Sequence, residues 1–513
     1  MDKNFYITTP IYYPSAKPHM GHAYSSIIAD FFARFKKIDG FKVHFLTGTD
    51  EHGLKIQRAA EKKKINTLDF CNEISLTFKN LSKTLNLTNT DFIRTTEDRH
   101  KKSVQYFWNE LEKNDEIYLS KYSGWYSVSD EAFYGEDEIE IINDKKVATS
   151  SKSAVEWVDE ESYFFRLSKW QEPLLNFYKK NPNFIAPVSR RNEVISFVKS
   201  GLKDLSVSRK TFSWGIPVPN NKDHIIYVWL DALTNYISAL NFPDKKHKLF
   251  KDFWPASIHL IGKDILRFHA VYWPAFLLAA KIDLPKKIFG HGWILSGDEK
   301  MSKSKGNILD PLEIINKYGL DPLRYYLIKE VSFGNDGNIS QDRLEDCINS
   351  DLANNFGNLC QRVTAFTIKN CDSKIPKEIK LQADDFKILD NYKNNLYMIR
   401  EKIDNQNINF YIDFIINSLF DANKYFNDQE PWKKKEDAIR LNTIVYTTLE
   451  VVRKISILLY PIIPESSLKA LKIFDIKEDQ INISSIEYND FLSKVDKINK
   501  IDILFQKIEK NND

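Results

Sequence analysis

Residues 5–22 read FYITTPIYYPSAKPHMGH, and their pattern decides the fold. Phe5 to Thr9 is apolar, aromatic and β-branched, the composition of a strand. Pro10 breaks the run, and Pro14 and Pro18 keep the next stretch a loop. A helix then begins at HMGH, with Ala23, Ile27, Ile28, Phe31, Phe32 and Phe35 on one face at the helical period. Gly40 is placed to end it as a left-handed cap. A second strand, Phe41 to Leu46, runs into the loop Thr47-Gly48-Thr49-Asp50-Glu51-His52-Gly53. Strand, loop, helix, strand opens a Rossmann-type, doubly wound parallel sheet of the α/β class. His19, Gly21 and His22 then sit at the first turn of a helix, where backbone N–H groups and the dipole favour phosphate. Gly21 allows close approach to the backbone, and both histidines can donate hydrogen bonds.

The chain divides by texture. Residues 1–115 read as the first half of the sheet domain, with helices after Thr67 and around Glu97–Lys113. Residues 116–224 form an insertion, β-rich from Tyr118 to Glu161 and helical near Trp170–Lys180 and Arg191–Leu202. Residues 225–295 resume the sheet domain: Ile225–Trp229 and His259–Ile261 read as buried parallel strands, and Ile265–Ala280 as one long helix. Strand Ile288–Phe289 and the segment His291–Ile294 complete it. Residues 296–350 hold a basic loop and a helix start at Asp310-Pro311-Leu312-Glu313, with Asp310 as cap and Glu313 closing a capping box. Residues 351–513 read as an α-helical bundle, with amphipathic segments at 344–370, 384–404, 408–428 and 436–460 and helix almost to the end.

A chain of 513 residues exceeds one core. A formal net charge of +3 supplies no global field, so a nucleic-acid partner has to be held by local basic patches. Cys71, Cys347, Cys360 and Cys371 form no C-x-x-C pair and read as reduced thiols. No run approaches the ~18 apolar residues of a membrane span, and no signal or transit segment precedes the first strand. A cytoplasmic protein with no membrane partner is expected.

Residues 300–306 read KMSKSKG, a lysine pair in a loop flanked by Gly297 and Gly306. Alone, each motif has a bland reading: two packing histidines, and a solvated charge run. Together, HxGH after the first strand and KMSKS after the last are the joint signature of class I aminoacyl-tRNA synthetases. Over Phe5 to about Pro464 the chain resembles the methionyl-tRNA synthetases, through TTPIYY, HMGHAY, FLTGTDEHG, DFIRTTEDRHKKSV, YVWLDALTNY, HLIGKDILRFHAVYWPA, GHGWI, KMSKSKGN, DPLRYYL, DLANNFGNLCQR and EPW.

The resemblance implies methionine–tRNA ligase activity: methionine is activated by ATP with Mg²⁺ and passed to tRNA(Met). His19, His22, Lys300 and Lys303 are then the catalytic residues. Gly21, Lys263, His291, Gly292 and Ile294 complete the ATP site. Pro10, Ile11, Tyr13, Asp50, Trp229, Leu233, Tyr236, Ile265 and His269 surround methionine. Asp50 takes the ammonium, and Tyr13 and His269 donate to the sulfur. Asn358, Arg362 and Trp432 read the anticodon, Trp432 by stacking beside the basic run Lys433-Lys434-Lys435. Many relatives carry a Cys-x-x-Cys zinc knuckle in the insertion; here Ser127-Val-Ser-Asp130 stands in its place, so no structural zinc is expected. Two alternatives are another class I synthetase and an inactive tRNA-binding paralogue. The first wants a large editing insertion or pocket cysteines and the second a damaged motif, and this sequence has none of these. With no appended dimerisation module in view, a monomer is expected.

Overall fold

The computed structural model describes residues 3–14, 17–128, 130, 132–296, 299–300 and 310–509. The chain forms two compact units: one holds Asn4–Ala29 and Val43–His291, the other Asp30–Lys42 and the described residues from Gly292.

The first unit is built on a six-stranded sheet. Its strands are β1 (Asn4–Thr8), β2 (Lys42–Thr49), β3 (Asp91–Arg94), β4 (Ile185–Ala186), β5 (Ile258–Gly262) and β6 (Ile288–His291). Their order is β3-β2-β1-β5-β6-β4. The register is parallel where β1 meets β5 (Ile7 opposite Ile258), β5 meets β6 (Ile261 opposite Gly290) and β2 meets β3 (Leu46 opposite Asp91). Strand order turns around between β1 and β5, so the loops leaving their carboxyl ends part and leave a crevice. The first starts at residue 9 after β1 and the second at residue 263 after β5. Helix α1 (Met20–Ile38) follows the first of them, contributing Met20–Ala29 to this unit and Asp30–Ile38 to the other. Gly40 closes it at φ +80°, the left-handed cap that its position foretells.

The structure departs from the sequence reading at several elements. Ile225–Trp229 is not a parallel strand of the main sheet. Asn221–Ile226 pairs antiparallel with Ser208–Arg209 and Pro217–Val218, and the chain turns helical at Val228. A short apolar run fits either kind of sheet, and here the partner lies close by in sequence, so the pairing closes a short loop. The helix α2 (Leu54–Lys63) follows the β2 loop, and α3 (Val228–Leu233) follows the hairpin. The main sheet gains β4 from the insertion's return leg, two residues too few to show a period. Residues 263–280 are helical but not regular: a 3₁₀ turn, a π turn over Phe268–Tyr272, then α4 (Trp273–Ala279). Pro274 has no N–H for the carbonyl of Ala270, and the Tyr178 hydroxyl donates to that carbonyl instead, at 2.6 Å.

The insertion folds as a four-stranded antiparallel sheet in the order Leu205–Ser206, Glu156–Phe165, Ile117–Ser127, Ala132–Tyr134. At its tip the Asp130 carboxylate accepts from the hydroxyls of Tyr134 (2.8 Å), Ser151 (2.5 Å) and Ser153 (2.8 Å), and its own amide donates to Ser127 Oγ at 3.2 Å.

The second unit is helical: α5 (Asn358–Asn370), α6 (Ala383–Asp404), α7 (Ile408–Asp428) and α8 (Ala438–Leu459). The expected segment 344–370 is instead three helical pieces, with a π stretch over Ile348–Gly357 ahead of α5. Helix does not continue almost to the end: past Leu471 the helical elements among the described residues are short 3₁₀ turns. Asp310 caps Pro311–Tyr318 by accepting the Leu312 amide at 2.7 Å. All four cysteines are free thiols.

A buried ion cluster fixes this unit. Asp30 is fully buried and takes hydrogen bonds from Arg34 and Arg324, each at 2.7 Å. Arg324 also donates to the carbonyls of Pro461 (3.1 Å) and Ile462 (2.8 Å), and Arg34 to the Tyr460 hydroxyl (3.0 Å). Removing Arg324 halves the cations on the buried Asp30 carboxylate and takes the donor from the Pro461 and Ile462 carbonyls, with no solvent to replace it. Arg324→Leu is therefore predicted to lower stability by about 3–5 kcal/mol, read from the shift of the denaturant midpoint. Adding Asp30→Asn should cost less than the sum of the two single changes, because each single change already removes the Asp30–Arg324 contact, which the sum counts twice. Additive losses would count against a coupled cluster.

Candidate active site

The crevice side chains come from three loops and α3. Across the first two, the Tyr12 amide donates to the Gly48 carbonyl at 2.8 Å and the Asp50 amide to the Tyr12 carbonyl at 3.0 Å. The loop after β1 is thereby sewn to the carboxyl end of β2, and Pro10, Ile11 and Tyr13 share one end of the sheet with Asp50.

At the head of α1, two imidazoles lie against each other, ring centroids 3.8 Å apart. The His19 amide donates to His22 Nδ1 and the Gly21 amide to His19 Nδ1, both at 3.1 Å. A nitrogen that accepts carries no proton, so each ring keeps its proton on Nε2 and presents it as a donor. A Cβ on Gly21 would stand 3.0 Å from the His19 ring, so glycine is what lets that ring lie on the helix start. Burial, with His19 beside it, holds His22 well below the ordinary imidazole range. The edges of Tyr12 and Phe78 enclose it, at 4.8 and 5.2 Å. His291, at the end of β6, joins α1 through Nε2 and the Ser25 hydroxyl at 2.8 Å, with Tyr24 edge-on at 5.2 Å. Lys263 stands in the 3₁₀ turn after β5.

The expected methionine-binding residues fall into two sets. Pro10, Ile11, Tyr13, Trp229 and Ile265 are half-buried, as walls of an open site should be, whereas Leu233, Tyr236 and His269 are buried. Trp229 stacks on Phe268 at 3.8 Å and 5°, and meets the edge of His269 at 6.1 Å. Tyr236 and His269 are joined at 2.7 Å through the hydroxyl and Nε2, while His269 Nδ1 lies 3.0 Å from the Ile265 carbonyl. A carbonyl only accepts, so Nδ1 holds the proton and Nε2 receives the tyrosine hydroxyl. The expected N–H donation from His269 to sulfur is thus already committed elsewhere. So is the Tyr13 hydroxyl, which donates to the His52 carbonyl at 3.2 Å. Both residues offer ring edges instead.

Sequence reasoning missed a buried trio beneath these walls. Asp231, on α3, takes His52 Nδ1 on one oxygen at 2.6 Å and His100 Nε2 on the other at 2.7 Å. His100 Nδ1 in turn meets the Ser238 hydroxyl at 2.8 Å. Burial alone would raise the Asp231 carboxyl, but the two histidines outweigh it and hold it down at about 2. All three residues lie inside the motifs FLTGTDEHG, DFIRTTEDRHKKSV and YVWLDALTNY, yet no spacing could pair positions 52, 100 and 231. Beside them, Glu51 is fully buried and bound by Arg94 at 2.6 and 2.9 Å.

Gly292 and Ile294 belong to the second unit. A Cβ on Gly292 would lie 2.2 Å from the Asn335 backbone, so that position tolerates no side chain. Ile294 opens a strand whose next residue, Leu295, pairs antiparallel with Lys300. Lys303, with Gly297 and Gly306, lies outside the described residues. In the helical part, Arg362 lies over the Phe426 ring at 5.4 Å and donates to Asn427 at 2.6 Å, while Trp432 meets Phe426 edge-on at 6.2 Å. Asn358, exposed one turn before Arg362 on α5, extends the same patch. Trp432 is 41% exposed, which sets aside its reading as a core residue. Phe426, the ring both share, was not foreseen.

A doubly wound sheet with paired Nε2–H donors at the head of its first helix, and a carboxylate at the neighbouring strand end, defines a nucleotide-activating site of the class I aminoacyl-tRNA synthetase kind. Known proteins agree with that geometry. A profile described as tRNA synthetases class I (M) matches residues 5–145 and 139–364, and one described as the anticodon binding domain of methionyl tRNA ligase matches residues 375–513. The chain is 48% identical to the methionine–tRNA ligase of Brucella suis over 94% of both chains, and 51% identical to that of Rickettsia felis over 94% of both. It superposes on Mycobacterium tuberculosis methionyl-tRNA synthetase in complex with methionyl-adenylate with a TM-score of 0.94, at 43% identity, over 98% of this chain and 99% of that one. The chain belongs to the methionyl-tRNA synthetase family.

The buried histidines make stability sensitive to acid. Burial holds His22 and His259 well below the usual range and brings His44 and His269 to about 4. In the unfolded chain each would titrate near 6.5, so below that pH the unfolded state binds more protons and stability falls. Above it both states are neutral and the effect vanishes. Asp231 acts in a lower window, its contribution being lost only as pH falls from about 4 toward 2. Melting temperature should be flat above about pH 6.5 and decline below it, at up to about 1.4 kcal/mol per pH unit for each histidine. A melting temperature unchanged down to about pH 5 would show that these rings are not buried neutral.

Proposed function

We propose that this chain, a methionine–tRNA ligase, activates L-methionine with ATP and transfers it to the 3′-terminal adenosine of tRNA(Met). The methionine carboxylate attacks the α-phosphate and expels pyrophosphate; a hydroxyl of the terminal adenosine then attacks the adenylate. Neither step uses a covalent enzyme intermediate, so catalysis is positioning and stabilisation of phosphate charge. The observation that carries this reading is the His19–His22 pair, whose Nδ1 atoms are both taken by backbone amides. Neutral Nε2–H donors at a helix start suit the oxygens of a pentavalent phosphate. Gly21 leaves the backbone open to the same group. Lys263, His291, Gly292 and Ile294 bind the rest of the nucleotide, and Lys300 and Lys303 grip its β- and γ-phosphates as point charges. Mg²⁺ would arrive with the nucleotide and would supply charge neutralisation to its phosphates.

Asp50 takes the substrate ammonium. Its support is its place at the end of β2, fixed by the hydrogen bond that its backbone amide donates to the Tyr12 carbonyl. Pro10, Ile11, Tyr13, Trp229, Leu233, Tyr236, Ile265 and His269 give the thioether aromatic edges and aliphatic walls. Asn358, Arg362 and Trp432 contact the anticodon. We also infer a cytoplasmic monomer. Among the described residues no helix is long and apolar enough to cross a membrane.

At the insertion tip, the groups that would replace a zinc knuckle are hydroxyls and one carboxylate that already satisfy one another around Asp130. That donor set does not fit tetrahedral zinc, which wants thiolate or imidazole. Elemental analysis of the purified protein should find no stoichiometric zinc, and a strong chelator should leave its melting temperature unchanged. About one tightly held zinc per chain would refute this.

The function is tested by measuring both half-reactions on one preparation. ATP–pyrophosphate exchange should respond to methionine alone among the amino acids. Trp432→Ala should keep wild-type exchange and melting but lose roughly ten- to a hundredfold in aminoacylation, the worth of one base stacked on an aromatic ring. Normal aminoacylation by that mutant, or loss of exchange with it, would remove Trp432 from the anticodon site.

A further inference from the structure

The Asp50–Gly53 loop and α3 carry opposite walls of the proposed methionine site, and a buried side-chain tie joins them. On the loop side, Glu51 is bound to Arg94 and Thr96, its carbonyl accepts the Trp214 indole N–H at 2.6 Å, and the Gly53 amide donates to the Trp214 carbonyl at 3.1 Å. None of these reaches α3. Among the described residues, a direct side-chain link from the loop to α3 is His52 Nδ1 on Asp231. His52 is 3% exposed and Asp231 fully buried, so water does not compete for this bond. Asp231 follows Trp229 by two residues and precedes Leu233 by two, on one short helix. His52 follows Asp50 by two, and its carbonyl accepts the Tyr13 hydroxyl at 3.2 Å. His100 occupies the second carboxylate oxygen and anchors it to the helix Asp98–Lys113. With both oxygens committed, Asp231 cannot swing, and neither can His52.

We propose that Asp231 is a positioning residue for substrate recognition: through His52 it sets the distance between the Asp50 carboxylate, which receives the methionine ammonium, and the Trp229–Leu233 wall, which receives the side chain. The inference rests on the assignment of Asp50 to the ammonium. Asp231 touches no substrate atom. It acts on the part of binding that requires ammonium and side chain to be met at once. An amino acid with an ammonium feels the spacing of the two walls, whereas an analogue without one needs only the side-chain wall.

The test is Asp231→Asn, which keeps the shape of the side chain but turns one acceptor oxygen into an N–H donor facing an imidazole N–H. Methionine KM in ATP–pyrophosphate exchange is measured beside the ATP KM and kcat. Two competitive inhibitors are measured with it: methioninol, which keeps the ammonium and lacks the carboxylate, and γ-methylthiobutyrate, which lacks the ammonium. The methionine KM and the methioninol inhibition constant should rise about tenfold, the effect of losing one well-placed polar contact. The ATP KM and the γ-methylthiobutyrate constant should stay within about twofold of wild type. Should Asp231→Asn fold poorly, His52→Ala removes the loop side of the tie, leaves the Asp231–His100 pair in place, and should give the same split. A fall in kcat with methionine KM unchanged, as from a smaller folded fraction, would overturn the proposal, and so would equal weakening of both inhibitors. Asp50→Asn separates the two readings. If it abolishes the preference for the ammonium-bearing inhibitor while Asp231→Asn and His52→Ala do not touch it, the positioning role fails and Asp50 keeps its assignment. If Asp50→Asn leaves that preference intact, the ammonium assignment fails and the positioning role with it.

Discussion

The hydrogen bond from the Asp50 amide to the Tyr12 carbonyl, 3.0 Å long, is the constraint on which the site depends. Parallel strands deliver their following loops to one edge of the sheet, but they do not say where those loops go. This bond and its neighbour from the Tyr12 amide to Gly48 make the first loop run along the end of β2. Pro10, Ile11 and Tyr13 are thereby placed, and so is the point from which the chain enters α1. The imidazole pair depends on the same path, because His19 and His22 are oriented by backbone amides of that entry.

Neutral imidazole is a recurring device in the first unit. His259 and His269 are buried and His22 half-buried, all three are pressed toward the uncharged form, and backbone partners fix which nitrogen carries the proton in His22 and His269. Thr8 bonds His259 Nδ1 at 2.9 Å under the stacked ring of Tyr236, and Tyr236 in turn serves His269. Two hydrogen bonds and a ring stack thus back the proposed methionine wall with no net charge, which suits such a wall to a thioether. Buried charge in the same unit is met at Asp231 by two histidines and at Glu51 by Arg94. The second unit obeys the same rule at Asp30.

The sequence by itself determined the class of fold, because periodicity and punctuation are local. The β1–loop–α1–β2 opening, the cap at Gly40, helices α6 to α8 and the β-rich texture of the insertion all follow from residues a few positions apart. It also named the HMGH and KMSKSKG candidates, since both motifs are contiguous, whereas the other candidate site residues came from the family resemblance. Local signals failed where the partner of a segment was not local in the expected way. Ile225–Trp229 is apolar enough for a core strand, but only a neighbouring hairpin partner made it antiparallel. Ile185–Ala186 is too short to announce itself. The π turn at Phe268–Tyr272 reflects a missing N–H at Pro274 and a hydroxyl supplied from Tyr178, far away in sequence.

What only the tertiary structure decided is which polar groups meet. Nothing in the spacing of His52, His100 and Asp231 marks them as one unit, and nothing in the composition of α7 marks Phe426 as the ring beneath Arg362 and Trp432. Tautomers were likewise undecidable, and with them the loss of His269 and Tyr13 as donors to sulfur. The physical reason is that a hydrogen bond is set by distance and direction over a few ångströms, whereas sequence patterning reports only which face of an element is apolar. Burial makes those contacts obligatory, and the chain path, known only once folded, chooses the partners.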